Sequence, residues 1–158
     1  MTLVFKGSLD EDNVPQLIEK MEAVTDENNL LYFSSDGGFT SYKELLVNYL
    51  NQNKDKWSLV CYDSLYSNGF DVYLDFKGDK QILEGCIILL HLESMNIESR
   101  LNNSSDQNLK RSYNTLKANN KRYIKRLSKI GVSKKLIKQI KQGEDIHLYY
   151  EDFKKLKL

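Results

Sequence analysis

Trp57-Ser58-Leu59-Val60-Cys61-Tyr62-Asp63-Ser64-Leu65-Tyr66-Ser67-Asn68-Gly69 joins a strand-sized apolar run to a serine-led turn. Short continuous apolar runs of this kind fill parallel sheets, so residues 57–62 predict a buried strand. The turn at Ser67-Asn68-Gly69 and a short helix-like stretch over 70–76 follow it. Upstream, Leu30-Leu31-Tyr32-Phe33 has the same character and ends in a predicted loop, Ser34-Ser35-Asp36-Gly37-Gly38. A helix over 41–51, with Leu45, Leu46, Tyr49 and Leu50 on its buried side, separates the two strands. Leu3-Val4-Phe5 predicts a first strand closed by Gly7. Ser8 or Asp10 then caps a helix over 14–24 that buries Leu17, Ile18 and Met21. Downstream, Ile82-Leu83 and residues 87–90 read as further strands. A long basic helix over 107–130 ends at Gly131, and a short helix over 134–140 and a tail close the chain. Strands alternating with helices across short connections indicate βαβ units with right-handed crossovers. In such sheets, functional groups gather in loops beyond the carboxyl ends of the strands.

Composition narrows the class. The chain has 158 residues, 41% hydrophobic and 28% charged, which suits one domain able to bury a core without a disulfide or metal. Cys61 and Cys86 lie inside apolar runs and read as buried free thiols of a reducing compartment. Two cysteines and two histidines without close spacing exclude a zinc site, and no cofactor is expected. The longest apolar run, residues 86–90, falls far short of the ~20 residues that span a bilayer. The opening Met1-Thr2-Leu3-Val4-Phe5-Lys6-Gly7 lacks signal-peptide anatomy, so a cytoplasmic protein with no membrane partner is expected. The Asn/Ser cluster at Asn102-Asn103-Ser104-Ser105 reads as a surface loop.

A net charge of +1 conceals a strong asymmetry. Residues 1–106 hold 18 acids and 8 bases, whereas residues 107–143 hold twelve Lys/Arg and no acid. Such a block can follow phosphates. Its aliphatic spacing (Tyr113, Leu116, Tyr123, Ile124, Leu127) is that of one helix face. The basic residues therefore read as a solvated or subunit-contact surface, and nucleic acid is not the expected partner.

The chemistry-bearing residues cluster in sequence around the two loops. A serine at a strand-to-helix turn raises its hydroxyl above the sheet, beside the next backbone N–H groups, and Ser67 fits that place. His91 stands 24 residues later, at the end of an apolar strand, where an imidazole can take the hydroxyl proton and turn the oxygen into a nucleophile. The oxyanion needs two N–H donors, for which the Gly37-Gly38 pair and Asn68 are candidates. Ser64 is the competing serine, but no glycine follows it. His147, in an alternating segment, reads as a surface residue, and Glu84 as part of a turn.

In this order and spacing the residues resemble the proteolytic subunit of the Clp protease, within the wider Clp/crotonase-like fold. Leu3-Val4-Phe5-Lys6-Gly7 resembles the family's opening strand. Ser35-Asp36-Gly37-Gly38 stands where it has Ser-Pro-Gly-Gly, and Ser67-Asn68-Gly69 falls on its nucleophile motif without a gap from Gly37. Lys77-Gly78-Asp79-Lys80 resembles its glycine-lysine hairpin. Ile88-Leu89-Leu90-His91 resembles the strand delivering the catalytic histidine, one residue short of the family spacing. Ile130-Gly131 resembles the break after the long helix, and Gly143-Glu144-Asp145-Ile146-His147-Leu148 the terminal Arg-Asp-x-x-Leu segment.

The resemblance implies an α/β fold of repeated βαβ units, with a mostly parallel sheet and a long helix in the C-terminal half, forming one domain over residues 1–158. It implies a serine peptidase acting on polypeptides, with Ser67 as nucleophile, His91 as base and the N–H groups of Gly38 and Asn68 as oxyanion hole. It also implies a homo-oligomeric ring and raises an unfoldase as a partner. Several residues depart from the pattern. The family's triad acid aligns near Ile140 or Lys141, inside the acid-free stretch, so the third member is expected from Glu144, Asp145 or a remote position, with Asp145 the candidate. Leu65-Tyr66 replaces small residues, Asp36 replaces the proline, and Leu92-Glu93 follows the histidine. The pore-lining N-terminal segment is expected to be missing. These departures leave a second reading, a catalytically degenerate scaffold. A third, an acyl-CoA enzyme of the crotonase kind, is disfavoured by the little room that 158 residues leave for a CoA pocket.

Overall fold

The computed structural model describes residues 1–93 and 106–158. The cluster at residues 102–105 lies outside them. The first strands are β1 (Thr2–Leu9), β2 (Asn29–Gly38) and β3 (Trp57–Tyr66), separated by α1 (Asn13–Glu22) and α2 (Thr40–Gln52) and followed by α3 (Asn68–Asp75). Two short strands come next, β4 (Lys80–Ile82) and β5 (Ile87–Leu90). Beyond them lie α4 (Asp106–Lys129), α5 (Lys134–Lys141), β6 (Ile146–Leu148) and α6 (Tyr150–Phe153). The fold is α/β, with six strands in one mixed sheet ordered β1-β2-β3-β5-β6 and β4 also on β3. The β1–β2, β2–β3, β3–β4 and β3–β5 pairings are all parallel.

The chain divides into two compact units, Met1–Leu90 with His147–Lys154, and His91–Ile146 with Lys155–Leu158. In the first unit α1 packs on α2 and α2 on α3, forming a layer over the sheet. That layer contributes Val14, Leu17 and Met21 from α1, Leu46 and Leu50 from α2, and Phe70 and Val72 from α3. From the strands come Phe5, Leu31, Phe33, Leu59 and Ile88, with Phe5 and Phe33 stacked at 5.3 Å. Each such side chain contributes about 1.5–3 kcal/mol by leaving water. Cys61 and Cys86 are free and buried here.

In the second unit α4 ends at Gly131, whose φ of 93° lets Val132 N–H reach the Leu127 carbonyl. Ser133 then caps α5, its hydroxyl accepting the Leu136 N–H. Among its described residues, Leu127, Val132, Ile137, Ile140 and Ile146 are the buried apolar ones. Among the described residues no helix is long and apolar enough to cross a membrane.

Two registers depart from the sequence reading. Ser34 to Gly38 is not a loop beyond strand two but its second half, because β1 runs on to Leu9 and pairs Gly7 with Ser35 and Leu9 with Gly38. Strand three likewise continues past Tyr62 to Tyr66, with a bulge. From the Phe33–Cys61 pair to the Ser35–Leu65 pair, β2 advances two residues and β3 four. Asp63 sits in that bulge at φ 58°. Smaller differences follow the same logic. Asn68 and Gly69 open α3 rather than completing a turn. Residues 77–79 lead into a strand parallel to β3 and form no hairpin. Asp10, through Oδ1, accepts the N–H groups of Asp12 and Asn13, whereas Ser8 stays in β1.

Candidate active site

Ser67 occupies the single residue between β3 and α3, at φ 51° and ψ −124°. A non-glycine residue there carries about 1–3 kcal/mol of backbone strain, which the neighbouring structure must enforce. The enforcement is visible on both sides. Ser67 N–H donates to the Leu89 carbonyl at 3.3 Å, tying the turn to β5. Phe70 N–H donates to the Ser67 carbonyl at 3.0 Å, closing the first turn of α3. The result is a sharp strand–serine–helix elbow of the type that presents a nucleophilic hydroxyl at a sheet edge.

The glycine pair packs against this elbow. A Cβ on Gly37 would lie 2.9 Å from the Ser67 Cβ and 2.9 Å from the Tyr66 carbonyl oxygen, and Gly37 adopts φ 94°. Only glycine fits there. Gly69 is excluded from bearing a side chain in the same way, since its Cβ would meet the Ser35 carbonyl at 2.9 Å. The Ser35 hydroxyl accepts the Gly37 N–H at 3.1 Å. Asn68 Nδ2 donates to the Gly38 carbonyl at 2.8 Å and to Thr40 Oγ1 at 3.3 Å, fixing the end of β2 to the start of α3. As the first residue of α3, Asn68 has a backbone N–H with no intrahelical partner. The structure therefore brings Ser67, Gly37, Gly38 and Asn68 together within the first unit.

His91 and Asp145 belong to the second unit, and the structure brings these two together. Asp145 Oδ1 stands 3.8 Å from His91 Nδ1, with the side chains 61% and 36% exposed. The residues around them set that approach. Gly143 ends α5 at φ 87°, and Glu144 N–H returns to the Gln139 carbonyl, reversing the chain just before Asp145. The other nearby candidate, Glu144, is occupied otherwise, accepting Gln139 Nε2 at 2.8 Å. On the histidine side, the chain two residues on is held by α4: Asn120 accepts the Glu93 N–H and donates to its carbonyl.

Ser64 is no rival to Ser67. It is buried inside β3, 3.0 Å from the Ser34 hydroxyl, and its N–H also donates to Ser34. This buried serine pair was not legible as a site feature, because its basis is the bulge in β3. Beside it Lys6 pairs with Asp63 at 2.9 Å, and that hydrogen bond holds the Asp63 carboxyl below its ordinary range. His147 is exposed in β6, with its ring edge-on to Tyr66 at 6.3 Å. Among the described residues no group of three His, Cys, Asp or Glu side chains is arranged to hold a metal ion. No protein-family model matches the chain, and no curated protein matches it significantly.

Proposed function

We propose that this chain is a serine peptidase of the Clp proteolytic-subunit type, with a Clp/crotonase-like fold, acting on polypeptides in the cytoplasm without a cofactor. The observation that carries the reading is the backbone of Ser67, a strained non-glycine residue at a strand-to-helix elbow. Strain of this kind clusters at functional sites. Ser67 is the nucleophile and His91 its base. Asp145, 3.8 Å from Nδ1, is the acid that would orient the imidazole so that Nε2 is left to accept a proton once that gap closes. The N–H groups of Gly38 and Asn68 receive the negative charge that develops on the attacked carbonyl oxygen. The order is addition of Ser67 Oγ to the carbonyl, transfer of its proton through His91 to the leaving amine, and hydrolysis of the acyl-serine by water.

The resemblance also implies a homo-oligomer, with an unfoldase as a further partner. Heterologous contacts are supported by charge: α4 exposes Lys110, Lys117, Lys121 and Lys125, and the first unit exposes Glu11, Asp12, Asp26 and Glu27. A second reading, a scaffold that has lost catalysis, is favoured by the 3.8 Å between Asp145 and His91, which is longer than a hydrogen bond.

A fluorophosphonate probe separates the two readings. The peptidase reading expects one label, on Ser67, lost in Ser67→Ala with the far-UV circular dichroism retained. A label on Ser64, or none, overturns it.

A further inference from the structure

Tyr113 is spaced with the apolar side of α4, yet it is 54% exposed. Leu127 is buried and Leu116, Tyr123 and Ile124 are half-buried, so the stripe is covered toward its C-terminal end while the Tyr113 ring stands largely in solvent. Its neighbours one turn away on either side are Lys110 and Lys117, both exposed. At about 100° per residue, Lys121 and Lys125 continue from Lys117 along the same side, with Arg122 beside them. Exposed bases run from Lys110 to Lys129, about 28 Å of helix at about 1.5 Å per residue. The sequence from 107 to 143 places no acid among them.

This side does not serve the His91–Asp145 pair. Asn120 accepts the Glu93 N–H and donates to its carbonyl, and Asn119 Nδ2 donates to the Glu93 carboxylate at 3.3 Å. Both asparagines fall on the side of Leu116 and Tyr123, so the chain next to His91 lies there and the lysines face away from it. An acidic protein patch does not account for the whole surface either. It satisfies the lysines but leaves Tyr113 nothing to stack on, and lysine is depleted in the cores of protein–protein contacts. A single strand of nucleic acid satisfies both, because its phosphates follow a row of cations and its bases stack on an exposed ring.

We infer that the exposed side of α4 binds single-stranded nucleic acid, with Lys117, Lys121 and Lys125 on phosphates and the Tyr113 ring stacked on a base. A duplex keeps its bases stacked on one another, so Tyr113 selects the single strand. The inference stands apart from the peptidase reading. It takes the lysines that a neighbouring copy meets in the proposed ring, so the two partners exclude each other on this face. Contact with about four or five phosphates sets the slope of log affinity against log salt at about −3.

The test follows the fluorescence anisotropy of a labelled twenty-nucleotide oligothymidylate titrated with the full chain in dilute buffer. Binding is expected, and it weakens with salt at that slope. Tyr113→Ala is expected to weaken it about tenfold with the salt slope unchanged, and Tyr113→Phe to keep it. The triple variant Lys117→Glu/Lys121→Glu/Lys125→Glu is expected to abolish it, with the far-UV circular dichroism retained because all three side chains are exposed. Absence of binding, or tighter binding of a duplex of the same length, overturns the inference. Binding that Tyr113→Ala leaves unchanged also overturns it, because the surface is then purely ionic and an acidic protein fits it as well. Labelling of Ser67 is read separately, so neither result decides the peptidase reading.

Discussion

Asp145 Oδ1 approaches His91 Nδ1 to 3.8 Å in a unit whose central stretch, residues 107–143, carries no acid at all. The carboxylate is supplied by the first turn of chain after α5. Asp145→Asn keeps the shape and, on the proposed peptidase reading, removes the charge that would orient the imidazole and stabilise the imidazolium. In the template triad that change costs roughly 10⁴-fold in kcat. With Asp145 61% exposed, a smaller loss is expected, about tenfold to a hundredfold. It should fall on kcat with KM little changed, and steady-state kinetics on a fluorogenic peptide would read it. An equal loss in KM would assign Asp145 to substrate binding instead.

Gly37→Ala should be far more damaging than Gly143→Ala, although both glycines have φ near 90°. The added methyl at Gly37 meets Ser67 and Tyr66, whereas the one at Gly143 meets nothing within 4 Å. Backbone strain alone costs about 1–2 kcal/mol, and the clash adds to it at Gly37. Urea denaturation should show the difference, and Gly37→Ala should also lose probe labelling because it displaces the elbow.

The buried pair Ser34–Ser64 predicts a coupled response. Removing one hydroxyl leaves the other buried and less well bonded, at about 1–3 kcal/mol. The double variant Ser34→Ala/Ser64→Ala should lose less than the sum of the two single variants. A double-mutant cycle by chemical denaturation measures that coupling. Ser64→Ala should leave labelling of Ser67 in place.

Burial pushes the Cys61 thiol well above its ordinary value of 9.0 and the Cys86 thiol up to about 11. The folded state therefore holds these protons more tightly than the unfolded chain does. The stability they contribute is complete below pH 9 and is lost as the pH rises toward 11. Once the unfolded thiol is ionised, each thiol still protonated in the fold lowers stability by about 1.4 kcal/mol per pH unit. Urea midpoints at pH 8 and pH 10 should show the fall, and Cys61→Ala should flatten it.

Association through α4 should weaken with salt, since exposed charges are screened within about 8–10 Å at physiological ionic strength. Light scattering is expected to give a larger species in dilute buffer than in 1 M salt. A monomer in both would remove the ring from the proposal.

Much of the scaffold was legible in the sequence because periodicity and apolar runs report burial directly. Residues 30–33, 57–62 and 87–90 form strands as expected, and α4 and α5 lie within a residue of their expected bounds. The second halves of β2 and β3 were not legible. Ser34, Ser35, Asp63 and Ser64 have the composition of a loop, yet pairing along the sheet outweighs their low strand propensity. At the site, glycine identity pointed to Gly37-Gly38, but its cause is the close approach of Gly37 to Ser67 and of Gly38 to the Leu9 backbone, which no local pattern contains.

The bulge in β3 has a counterpart in its neighbour. β4 lies against Leu59–Cys61 and β5 against Ser64–Tyr66, with residues 83–86 crossing the gap. From Cys61 to Ser64 the chain advances three residues, and from Ile82 to Ile87 it advances five. A crease therefore runs across the sheet, and each strand can pass it with its own number of residues. Beyond it lie the segments that carry Gly37, Ser67 and Leu89, and before it lies the regular ladder. An insertion beside Gly85, where the space is open, is expected to leave the pairing on either side in place. The length of chain between Ser67 and the end of β5 is thus adjustable, while the register of β5 on β3 is not.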